Sequence, residues 1–202
     1  MPFAFPSHQG LISPLWRRWP GRFHVMGLCV GAAMPDVVDG LLGPIFRGRL
    51  GQWIGHSFIG LFTLCLVGGI LLTWLSARLG AWMAQGRGRW QAAGQAVERW
   101  NEIPDSKQGI RRTAFVAFSV WLGTLSHLCI DFISHGGFPW LYPWRPRGHI
   151  FPEWWYTPWF EIPLPGYAEP YPAAPHWFVW LFLGAVGIVM LFWPWIRRRR
   201  SA

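Results

Sequence analysis

Residues 113–137 read TAFVAFSVWLGTLSHLCIDFISHGG. From 113 to 130 the run is apolar apart from His127, and Asp131 follows at once. A bilayer core about 30 Å thick takes roughly 20 apolar residues to cross as a helix, so this stretch reads as a transmembrane helix with ionisable groups at one end. His127 and Asp131 are four residues apart, one turn along the same helical stripe. His135 comes next on that stripe, and Gly136 and Gly137 mark where the helix ends.

Three further runs meet the same criterion. Residues 57–75 carry no charge, and 177–196 carry none before Arg197. Residues 23–42 are apolar but interrupted by Pro35, Asp36 and Asp39; Gly27 and Gly31 within them form a GxxxG pair suited to close helix packing. The predicted fold class is therefore all-α, a polytopic membrane helical bundle forming one domain, with about four transmembrane helices over 23–42, 56–76, 113–133 and 177–196. Residues 77–112 are a connecting loop with a short amphipathic helix over 91–100, and 138–175 a Trp- and Pro-rich loop lying near the membrane surface. Residues 1–20 have no basic start ahead of an apolar core and do not read as a cleavable signal peptide.

Composition agrees. Of 202 residues, 52% are hydrophobic and only 13% charged, about half the charged fraction usual in soluble domains. The 17 tryptophans suit a membrane–water interface, where the ring is buried and the N–H stays wet. A net charge of +9 raises nucleic-acid binding, but the basic residues cap apolar runs instead of forming one patch, so no nucleic-acid partner is expected. Cys29, Cys65 and Cys129 each lie in an apolar run, without metal-ligand spacing, and read as small buried hydrophobes.

Lys and Arg set the orientation. Fourteen of the 18 precede the first run, lie between the second and third, or follow the fourth. Only Arg47, Arg49, Arg145 and Arg147 lie on the other side. The positive-inside rule places the fourteen, and the C-terminus, in the cytoplasm, as expected of a multi-pass protein of the bacterial inner membrane. Asp36, Asp39, His56, His127, Asp131 and His135 then come from three helices to one depth on the outer face. An Asp at the bilayer centre costs about 2.5–3.5 kcal/mol on insertion scales, and such residues usually face the bundle interior and mark function. Neutral His with ionised Asp is a ligand set for a divalent metal, zinc first and manganese second. The competing reading is a buried hydrogen-bonded network without metal. His24, His149 and His176 stand apart from the cluster and read as packing.

Four pieces, MPFAFPSHQG at 1–10, MPDVVDG at 34–40, GHSFIG at 55–60 and SHLCIDFISHGG at 126–137, resemble the bacterial inner-membrane metal-dependent hydrolases of the YdjM type. They look closer still to a related family whose members begin MPF with a Ser-His soon after. The resemblance implies a metal site of His8, Asp36, His56, His127 and Asp131, and a short N-terminal re-entrant or interfacial helix, which Pro14 interrupts, bringing His8 beside Asp36. It also implies distant kinship with zinc-dependent phospholipase C and P1-type nucleases. The chain departs from the YdjM pattern in having GQWIGHS where an HRG-type element precedes the second span, and in carrying His135.

The function expected is a membrane-bound, metal-dependent hydrolase of phosphoester or phospholipid-type substrates. In it Asp39 or His135 orients the attacking water or serves as general acid–base. Its partners are the lipid bilayer and a phosphoester substrate. Arg145 and Arg147 could hold an anionic headgroup or simply anchor the outer loop. The alternative is a non-catalytic membrane protein, for metal handling, transport or scaffolding, built on the same polar cluster. Haem ranks lower, because clustered carboxylates do little for it.

Overall fold

The computed structural model describes residues 4–45, 50–107, 109–134, 139–144, 151–163 and 169–200. His135, His149, Arg47, Arg49, Arg145 and Arg147 lie outside these residues. The described chain is mostly helical, and three of its helices are long and apolar enough to cross a membrane: Val25–Ile45, Leu64–Ala84 and Arg111–Ile133. The protein is thus an all-α membrane protein. A further apolar stretch, His176–Met190, lies within a longer C-terminal helix.

In chain order the helices are α1 (Ala4–Arg18), α2 (Val25–Ile45), α3 (Leu50–Gly55), α4 (Phe58–Phe62), α5 (Leu64–Ala84), α6 (Arg89–Trp100), α7 (Ile110–Ser134) and α8 (His176–Arg200). The most extensive packing joins α2 to α7 and α1 to α8, with α5 and α3 also against α2 and α6 folded back on α5. Large apolar side chains such as Leu71, Leu75, Phe118 and Phe182 remain exposed on the outside of the bundle, as a lipid-facing surface requires.

α2 and α7 lie within three residues of the spans expected over 23–42 and 113–133, and α8 starts one residue before 177 and runs to Arg200; the second span differs most. The span expected over 56–76 is not one helix. The chain breaks at His56–Ser57, where Ser57 Oγ caps α4 by accepting from the Gly60 N–H at 3.1 Å. It breaks again at Thr63 (φ −119°, ψ −97°) before α5 begins. α5 then runs on to Ala84, eight residues past the expected end. An apolar count stops at Arg78, whereas the helix continues because a long basic side chain can reach the membrane boundary while its stem stays in lipid. The short helix expected at 91–100 is present as α6. Between α7 and α8, Phe160–Ile162 and Tyr171–Ala173 form a two-stranded antiparallel ribbon, which the all-α expectation did not include. Cys129 is also a correction: it is exposed, while Cys29 and Cys65 are buried as expected.

Pro14 does not interrupt α1. Proline lacks the N–H that would bond the carbonyl of residue 10, and Ser13 Oγ donates to the Gly10 oxygen instead at 3.1 Å. At 15 residues, α1 spans roughly 22 Å, short of a bilayer core. It lies against α8 at very close range. A Cβ on Gly10 would fall 1.9 Å from the Leu183 carbonyl, and one on Gly187 2.3 Å from the Pro6 carbonyl. Small residues also bring α2 onto α7: a Cβ on Gly31 would sit 2.1 Å from the Val120 oxygen, and one on Gly123 2.3 Å from the Leu28 oxygen. The GxxxG pair therefore marks a real contact.

Candidate metal centre

The site is assembled from three helices, α1, α2 and α7, and the turn between α3 and α4, and α2 and α7 set its frame. Pro35 supplies no N–H to the Gly31 carbonyl one turn back. Thr124 on α7 reaches that carbonyl: its Oγ1 lies 3.0 Å from the Gly31 oxygen and 3.0 Å from the Val120 oxygen of its own helix. One turn along α7, His127 Nδ1–H donates to the Ala32 carbonyl at 2.7 Å. A carbonyl can only accept, so this bond fixes the tautomer and directs Nε2 away from α2's backbone.

That nitrogen points into a group of donors. His127 Nε2 is 3.0 Å from Asp131 Oδ2 and 3.8 Å from Asp36 Oδ1. His56, turned inward by the break between α3 and α4, brings its Nε2 to 3.3 Å from Asp131 Oδ2, 3.5 Å from Asp36 Oδ1 and 3.3 Å from His127 Nε2. An ion bound tetrahedrally with bonds of about 2.0–2.1 Å holds its ligand atoms roughly 3.3 Å apart, so these spacings fit donors around a common centre.

His8 comes from α1. Its ring stacks on His127 with centroids 3.5 Å apart and planes 8° apart, and it meets the Trp180 ring of α8 edge-to-face with centroids 4.8 Å apart. It is buried, and among the described residues neither ring nitrogen has a hydrogen-bond partner. A buried imidazole with both nitrogens unpaired is unfavourable by about 1–3 kcal/mol, which a bound cation would relieve. Two overlapping sets, His8–Asp36–His127 and His56–His127–Asp131, place their donor atoms within 4.8 Å of one another. His56, His127 and Asp131 are buried, whereas the Asp36 side chain keeps 34% of its surface exposed, so Asp36 forms the open edge.

All five residues expected as metal ligands thus meet in one place. Asp39, one turn beyond Asp36, is half-buried and belongs to neither set; His135 lies outside the described residues. Sequence reasoning missed the supporting groups. Thr124 was legible in principle, since it lies three residues before His127 on the stripe that carries Asp131. Ser7, whose Oγ donates to the Trp180 carbonyl at 3.0 Å, and Gln9, whose Nε2 donates to the Cys29 carbonyl at 3.3 Å, hold His8 in place between α8 and α2. Only their position beside His8 hinted at this.

A sequence profile described as Domain of unknown function (DUF4184) matches residues 1–144. The chain belongs to that family. The DUF4184 match takes in α1 to α7, and with them every residue of the cluster. Neither a curated protein nor a solved structure matches the chain.

Proposed function

We propose that this DUF4184 protein is a membrane-bound, metal-dependent hydrolase acting on phosphoester or phospholipid-type substrates. The observation that carries the reading is the convergence of His8, His56, His127, Asp36 and Asp131 at ligand spacing, with the buried His8 nitrogens lacking a hydrogen-bond partner among the described residues. These five residues would hold a divalent ion, zinc in the first place and manganese in the second. Such an ion supplies Lewis acidity, polarising a phosphoryl oxygen and acidifying water near neutral pH. Because His127 Nδ1 is committed to Ala32, this residue offers a single nitrogen, and the two overlapping donor sets share one ion per chain.

The protein groups then divide the work. His127, held by Ala32, and buried Asp131 form the rigid wall. Asp36 lies at the exposed edge where substrate enters. Asp39, one turn on, accepts a proton from the attacking water, a task His135 could share. The YdjM-type resemblance supports the same chemistry. With α8 counted as a fourth span and α1 as a re-entrant helix, the charge distribution puts the cluster at the extracytoplasmic face of a bacterial inner membrane and the C-terminus in the cytoplasm. Headgroup depth favours lipid substrates.

Elemental analysis of the detergent-purified protein tests this directly, beside Asp131→Ala and His127→Ala. Zinc or manganese near one per chain, lost in both variants, is the expected result, followed by turnover on a panel of phospholipids and generic phosphoesters. A protein that takes up no metal after reloading would sink the proposal and leave a hydrogen-bonded network. A metal-loaded protein inert on the whole panel would favour a metal-handling or scaffold role.

A further inference from the structure

At the other end of the bundle a groove of about 140 Å³ opens between α5 and α7, beside the end of α6. Arg112 and His127 are 15 residues apart on α7, roughly 22 Å, so the groove lies near the far boundary of the bilayer core. Its polar floor is internally satisfied. The Gly27 N–H donates to His24 Nδ1 at 3.0 Å, His24 Nε2 faces the Asn101 carbonyl at 3.3 Å, and Asn101 Nδ2 donates to the Val97 carbonyl at 2.9 Å.

The rim differs. Arg112 and Thr113 are exposed there, and the Arg78 guanidinium lies 4.6 Å over the ring of Trp74, which lines the groove. Among the described residues no carboxylate forms an ion pair with either arginine. The walls are apolar, from Ile70, Ala77 and Val116, and beside them α5 exposes Leu71 and Leu75. Positive charge at a membrane boundary beside an apolar wall matches one class of ligand, an anionic headgroup with acyl chains attached.

We propose that this groove binds the phosphate of an anionic phospholipid. Arg112 and Thr113 donate to the phosphate oxygens, Arg78 closes the rim from above Trp74, and the chains lie along α5 and α7. The site is separate from the metal cluster and does not depend on its chemistry.

The test is lipid retention by the full chain, reconstituted with mixed phosphatidylglycerol and phosphatidylcholine, delipidated, and assayed by mass spectrometry. Wild type and the control Arg87→Gln, an exposed arginine outside the groove, are expected to retain phosphatidylglycerol. Loss of about fivefold is expected for each arginine removed, hence roughly 25-fold for R78Q/R112Q. R78K/R112K keeps the charge and is expected to stay within about fivefold of wild type. It also carries the test if the glutamine pair misfolds. Equal loss in Arg87→Gln would mean diffuse charge attraction and overturn the site, as would full retention by R78Q/R112Q or collapse of binding in the lysine pair. Displacement by millimolar inorganic phosphate as readily as by competing lipid would overturn the lipid assignment in favour of a soluble anion.

Discussion

His24 and His127 are both buried histidines in contact with helix backbone, and they stand at opposite ends of the bundle. At His24 both ring nitrogens are engaged, one accepting from Gly27 and the other facing Asn101. His127 gives one nitrogen to Ala32 and leaves the other among His56, Asp36 and Asp131; His8, stacked on it, has neither nitrogen hydrogen-bonded among the described residues. Burial and residue type are the same in the two regions. What separates a structural histidine from a candidate ligand is the nitrogen that the fold leaves over.

The largest test of that contrast is metal content across matched substitutions. Asp131→Ala and His127→Ala are expected to reduce bound metal to near background by elemental analysis. His24→Ala should retain it wherever the variant remains folded. Loss of metal in His24→Ala at full helicity would erase the distinction.

Next comes the helix that delivers His8. Gly10→Ala puts a methyl into the Leu183 carbonyl and is expected to push α1 off α8. His56, His127, Asp36 and Asp131 stay in place, so metal affinity should fall about tenfold, not vanish, similar to the 10–100-fold losses from disturbing ligand support. A competitive chelator titration reads this. Gly31→Ala drives a methyl into the Val120 carbonyl between α2 and α7. It should destabilise the whole bundle by about 1–3 kcal/mol, seen as a lower midpoint of unfolding in mixed micelles.

A smaller effect is expected from Thr124→Val, which removes the hydroxyl facing the Gly31 carbonyl. About 1 kcal/mol of stability should be lost, with Thr124→Ser restoring most of it in the same assay. The smallest concerns pH. Burial holds His24 below its ordinary value of 6.5, and Arg112 pushes the same way, against the Asn101 carbonyl. A histidine kept neutral by the fold contributes stability that is full above pH 6.5 and declines as pH falls through its lowered folded value. His24→Gln should therefore flatten part of the acid limb of the unfolding profile of the metal-free protein; an unchanged limb would show that His24 contributes nothing to it.

Much of this molecule was legible as sequence. Apolar runs marked α2 and α7 well, in α2 despite Asp36 and Asp39, because hydrocarbon forces every backbone polar group into a helix. The i, i+4 spacing of His127 and Asp131 put both on one stripe of α7. The second span, expected over 56–76, differs because an apolar count sees neither the Ser57 cap nor the break at Thr63, and it ends short of Arg78 although the helix does not. An interruption of α1 is expected because Pro14 removes a donor, and the hydroxyl of Ser13 that compensates acts locally. The pairing of α1 with α8 was not legible, since Gly10 and Gly187 are far apart in sequence and each looks ordinary by itself.

By itself, then, the sequence determined a membrane-embedded helical protein whose acids and histidines gather toward one end of its spans. Hydropathy and helical period are local properties, and both can be read along the chain. Tertiary structure alone decided which nitrogens are left over. That depends on carbonyls freed by Pro35 and captured by Thr124, on Ala32 meeting His127, and on glycines that let backbones approach too closely for any side chain. Those contacts join residues about 90 or more positions apart, and no local pattern encodes them.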